Sequence, residues 1–103
     1  MGFDTEPSGY RKTILSDLQG AWQCLRGEVA DNPGFQGWER GLFHIDEAMS
    51  WESVRNLRHM QRCLILVRNI LQQADPPDGV TECLEVVSGL MDETLEALAS
   101  GEI

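Results

Sequence analysis

Three cysteines, two histidines and a group of arginines are the residues in this chain best suited to chemistry. Cys24, Cys63 and Cys83 are an odd count, at spacings that match neither a disulfide framework nor a zinc motif. Each lies beside apolar neighbours in a helical pattern, so they read as small buried hydrophobes in a reducing compartment. His59 and Cys63 stand one helical turn apart and begin a metal-ligand set. Completing it requires His44 and Cys83 from elsewhere, so neither a metal nor another cofactor is expected. His44, with Asp46 and Glu47 close behind, comes nearest to a general base, but neither a nucleophile nor a cofactor cradle accompanies it. The chain has no P-loop, GxGxxG, HExxH or GxSxG motif. The expectation is a protein that is not an enzyme.

Two groups suit association instead. Arg55, Arg58 and Arg62 share a helix face and fit a partner's carboxylates. Phe35, Trp38 and Phe43 place three of the seven aromatics within nine residues. They serve either as core pins for a loop or as interface anchors.

Apolar periodicity defines the elements that position these groups. Residues 1–8 read as a flexible tail, with Ser8 capping a first helix over about 9–30. In that helix Ile14, Leu15, Leu18, Ala21, Trp22, Leu25 and Val29 fall on one side of the wheel. Asn32-Pro33-Gly34 ends it. Residues 31–49 read as irregular, because Gly34, Gly37 and Gly41 argue against a long element. Ser50 is the expected cap of a middle helix over 51–74, stopped by Asp75-Pro76-Pro77. Asp78 is the expected cap of a last helix over about 79–100. The expected fold is all-α: three main helices forming one domain over 9–103. The last two form an antiparallel hairpin across their short Pro-Pro turn.

The middle helix has more apolar surface than one face can hold. Leu57, Met60, Cys63, Leu64, Val67, Ile70, Leu71 and Ala74 form its core stripe. Trp51, Ile65 and Leu66 point to the other side and need cover. Helix 1, a second copy of the chain or another protein can supply it. Three helices bury a limited core, so a homodimer is expected.

At 103 residues, with 42% hydrophobic and 24% charged content, this is one small globular domain. Its formal charge of −9 excludes nucleic-acid binding by a general basic surface. The longest apolar run, Cys63 to Val67, is far too short for a membrane span. The opening MGFDTEPSG carries acids where a signal peptide carries bases, so the expected location is the cytoplasm. The charge is uneven: residues 75–103 hold eight acids and no base, while residues 50–74 hold four arginines and one acid. The acidic helix reads as a solvated face or, less completely, as a DNA mimic.

From Gly41 to Ala99 the chain resembles a set of short Pseudomonas proteins built on a helical hairpin. The resemblance lies in Leu42-Phe43-x-Ile45, in Ser50 with Glu52 two residues on, and in the helix, break and amphipathic helix that follow. With its size, acidity and N-terminal helix, the chain is similar to the small quorum-sensing anti-activators of that genus. The resemblance implies a cytoplasmic, non-enzymatic protein that binds the ligand-binding domain of the LuxR-type transcriptional regulator LasR. It further implies that binding blocks the regulator's dimerisation and so prevents DNA binding. No contact residue carries over from the resemblance. The candidate partner or dimer interface therefore comes from the pattern alone: Phe35, Trp38, Phe43, Trp51, Arg55, Arg58, Arg62, Ile65 and Leu66. The same pattern also suits an immunity protein or a secretion chaperone that sequesters a toxin or effector.

Overall fold

The computed structural model describes residues 7–101. They form four helices: α1 (Pro7–Asp31), α2 (Trp38–Ser53), α3 (Leu57–Ala74) and α4 (Asp78–Ala99). No strand occurs among the described residues. The all-α class agrees with the sequence, but there are four helices where three were expected. Of the expected tail, residues 1–6 lie outside the described residues. Pro7 and Ser8 already belong to α1, and a proline is well placed in a helix's first turn because its missing N–H has no partner to lose there.

The segment expected to be irregular contains most of α2. Gly34 and Gly37 do break the chain, with φ of 110° and 85°. Gly41 instead lies inside α2, where a Cβ would come within 3.4 Å of Leu71 Cδ2. It is buried against α3 at ordinary contact distance.

The expected 51–74 helix is interrupted after Ser53. Arg55 takes a left-handed conformation (φ 60°) and its N–H donates to Glu52 O at 2.9 Å. The Asn56 N–H donates to Trp51 O at 3.0 Å. These two bonds form the Schellman ending that a glycine usually provides. Asn56 then caps α3, its Oδ1 accepting from the His59 N–H at 3.2 Å. Ser50 is therefore no N-cap. It lies within α2, and its hydroxyl donates to Asp46 O at 3.1 Å. Likewise Pro77, and not Asp78, occupies the cap of α4.

The helices form a ring of neighbours, α1 to α2 to α3 to α4 and back to α1, and among the described residues the diagonal pairs show no close backbone approach. The close antiparallel hairpin is α2/α3. Gly41 lies beside Leu71 at one end, and Trp51 stacks on His59 at the other. The expected α3/α4 hairpin is not the main pairing. These two helices touch least, and a cleft of about 380 Å³ lined by Arg68, Gln72, Thr81 and Glu85 separates them. The reason is that the reversal at Val54–Asn56 folds α3 straight back onto α2. The apolar stripe of α4 packs mainly against α1.

One core runs through the ring. Leu18, Trp22, Leu25 and Val29 of α1 are fully buried, as are Ile45, Met60, Val67, Leu71, Val87 and Met91 from the other helices. Thr94 is buried too, its hydroxyl satisfied by Leu90 O at 2.7 Å. The molecule measures 50 × 23 × 19 Å. No helix among the described residues is long and apolar enough to cross a membrane.

Candidate protein-binding surface

The core stripe of α3 turns Leu57, Met60, Cys63, Leu64, Val67 and Leu71 inward. Helical spacing then sends Arg58, Arg62 and Ile65 outward in one row, with Leu66 one turn from Arg62. All four are exposed, Ile65 by 50% and Leu66 by 45%. α1 does not cover this side, because it lies diagonally across the ring from α3. The second apolar face thus remains open within the monomer.

Leu66 also borders a groove of about 410 Å³ along the α2/α3 edge. Arg40 from α2 and Asn69, Ile70 and Gln73 from α3 line the groove with it. Phe43 lies about one turn along α2 from Arg40, 64% exposed, its ring edge-on to His44 at 5.2 Å. The surface therefore combines half-exposed aliphatic groups and an aromatic with arginines, a composition that suits a partner offering apolar contacts rimmed by carboxylates.

Other expected interface residues lie elsewhere. Phe35 and Trp38 pack against the core at the α1–α2 connection. Trp51 belongs to α2 and stacks on His59, ring centroids 4.4 Å apart. It was expected on the middle helix beside Ile65 and Leu66, but the break at Val54–Asn56 separates it from them. Arg55 is exposed within that break. Arg40 and Ile70 were not anticipated on this surface. Their signal lies in the α2/α3 register, which is readable only once α2 is known to be a helix.

The residues with catalytic or metal-ligand character are occupied otherwise. His44 Nδ1 lies 3.0 Å from Glu47 Oε1, while Asp46 pairs with Arg26 of α1. Cys63 is buried against α2. Burial, with the Glu47 carboxylate adding charge and a hydrogen bond, pushes its thiol up to about 11. A thiol held protonated is a poor nucleophile. Among the described residues no three His, Cys, Asp or Glu side chains are grouped to hold a metal ion. The acids Glu82, Glu85, Asp92, Glu93 and Glu96 of α4 are all exposed. No known protein family, curated protein or solved structure matches this chain.

Proposed function

We propose that this protein is a non-catalytic inhibitor that acts by stoichiometric association through the outward face of α3. The observation that carries this reading is the pair Ile65 and Leu66, half-exposed one turn beyond Arg62 on a side of α3 that no other helix among the described residues covers. The partner class rests on the sequence resemblance described above. It is a LuxR-type regulator such as LasR, bound at its ligand-binding domain in the manner of the QslA-type anti-activators. The α3 face occupies the regulator's own dimer seam. A regulator that reads two half-sites loses operator affinity when it cannot dimerise. This inhibition takes place in the cytoplasm, where the regulator works.

Without its partner, the same face pairs two copies of the chain. An antiparallel two-fold pairing centred between Ile65 and Leu66 sets Arg62 opposite Asn69 of the second copy. It sets Arg58 opposite Gln73 of that copy. No like charges face each other at these positions, and the apolar pair meets itself.

Light scattering behind a sizing column tests both statements. The protein alone is expected to run as a dimer. Mixed with the ligand-bound LasR ligand-binding domain, it should form a complex in which the regulator's dimer is gone and which survives high salt. Leu66→Glu should abolish both associations while the far-ultraviolet spectrum stays helical. Absence of a complex at both salt concentrations overturns the anti-activator reading. A helical Leu66→Glu variant that still associates removes the α3 face.

A further inference from the structure

We propose that Cys24 and Cys83 form a reversible thiol–disulfide pair, and that hydrogen peroxide converts it to a covalent staple between α1 and α4. The two residues are 59 positions apart in sequence, yet their sulfurs lie 3.0 Å apart across the α1/α4 seam. A disulfide bond of about 2.05 Å requires these sulfurs to close by only about an ångström. Cys24 is exposed and Cys83 half-buried. Both open onto a shallow recess of about 130 Å³ lined also by Ala21, Glu82 and Val86, a route for a small oxidant. Cys63 lies in the other seam, buried under α2. This inference is independent of the function proposed above.

The environments of the two thiols set the order of events. Burial, the S–H···S contact with Cys24 and the charges of Cys24, Glu28 and Glu82 push the Cys83 thiol up to about 12. Cys24 is the more accessible sulfur and reacts first. It attacks one peroxide oxygen and the O–O bond breaks, leaving a sulfenic acid on Cys24 and releasing one water. Oxidation of Cys24 removes its own hydrogen bond and charge from the causes that hold the Cys83 thiol protonated. The Cys83 sulfur, already in contact with the Cys24 sulfur, then attacks it. The S–S bond forms as the S–O bond breaks, and the hydroxyl leaves with the Cys83 thiol proton as a second water. Two thiols and one hydrogen peroxide thus give one disulfide and two waters. A small thiol reverses the bond by exchange. The staple closes a covalent loop around the whole α2/α3 hairpin and leaves the outward face of α3 untouched.

The test uses the full chain, treated with hydrogen peroxide and then alkylated with iodoacetamide under denaturing conditions. Mass spectrometry should show the loss of two hydrogens and a single alkylated cysteine, Cys63. Peptide mapping should link Cys24 to Cys83, and dithiothreitol should restore three alkylatable thiols. The oxidised protein should melt about 10 °C higher than the reduced one. Cys63→Ser should keep the cross-link and Cys24→Ser should lose it. Over-oxidation of Cys24 without a cross-link, a disulfide between two copies, or no reaction at all overturns the proposal.

Discussion

In the α1/α4 pair, all seven apolar residues of the α1 stripe from Ile14 to Val29 are buried, and the outward side of α4 carries only acids among its charged residues. In the α2/α3 pair, Phe43, Ile65 and Leu66 remain substantially exposed on the outside, among arginines. Both pairs are antiparallel and contribute to one core. They differ in the charge that surrounds the exposed apolar surface. The first pair buries the whole α1 stripe and leaves Val86 and Leu98 exposed, by 54% and 37%, on a helix whose charged residues are all acids. The second sets its exposed apolar residues among arginines, the feature on which the proposed binding face rests. On the proposed reading, α1/α4 holds the molecule together and the α2/α3 exterior is the part that meets a partner.

Tryptophans offer the strongest way to break that distinction. Trp22 of α1 is fully buried, the largest such side chain, while Trp51 of α2 is half-buried and stacked on His59. Trp22→Ala should cost about 3–5 kcal/mol. Trp51→Ala should cost about 1–2 kcal/mol, since it forfeits a stacked pair and partial burial only. Urea unfolding followed by circular dichroism measures both, and equal costs would mean that α2/α3 is as much core as α1/α4. Trp22→Phe sharpens the result. The Trp22 indole N–H is buried without an acceptor among the described residues. Removing it relieves a desolvation penalty of about 1–3 kcal/mol, so Phe should be tolerated far better than its loss of volume suggests.

The two pairs also differed in how readily the sequence disclosed them. The stripe of α1 and most of that of α4 are legible because their apolar residues recur at helical spacing with little interruption. α2 is not, because its punctuation is misleading. Gly41 looks like a breaker and is a packing residue, whereas the real break has neither glycine nor proline. At that break Arg55 takes the left-handed position and Asn56 caps the next helix, a combination with only the asparagine as a signal. The candidate surface was legible in part for the same reason. Arg58, Arg62, Ile65 and Leu66 follow from the periodicity of α3 alone. Arg40 and Ile70 depend on the α2/α3 register, and Trp51 was assigned to the wrong helix. The Cys24–Cys83 contact depends on pairing across 59 residues, which no local pattern reveals.

Two left-handed positions bracket α2 and should respond in opposite directions. Gly37 has φ 85°, and a Cβ there would lie 3.0 Å from Ile70 Cγ2. Gly37→Ala combines backbone strain with a tight contact and should destabilise by about 1–2 kcal/mol. Arg55→Gly relieves the strain of a side-chain-bearing residue at φ 60°. It also gives the unfolded chain more freedom, so the net gain should be about 0.5–1 kcal/mol. Thermal melts of the two variants test whether the α2 boundaries, invisible to periodicity, are where the hairpin is held. A gain from Gly37→Ala would place that helix start elsewhere.

The smallest effects test how tightly the two pairs are packed. Gly20 in α1 and Gly89 in α4 are helical and exposed, and a Cβ at either meets nothing within 4 Å. Alanine at each should therefore stabilise by about 0.5–1 kcal/mol through helix propensity alone. Gly41 in α2 is also helical, but its Cβ would meet Leu71 Cδ2 at 3.4 Å and Ile70 Cγ2 at 3.9 Å. Both are ordinary contact distances, so the added methyl fits the seam and the gain should match that at Gly20, with the new contacts added to helix propensity. Melting temperatures of the three single variants decide the matter. If Gly41→Ala lowers the melting temperature while Gly20→Ala raises it, α3 rests on α2 more tightly than these distances show.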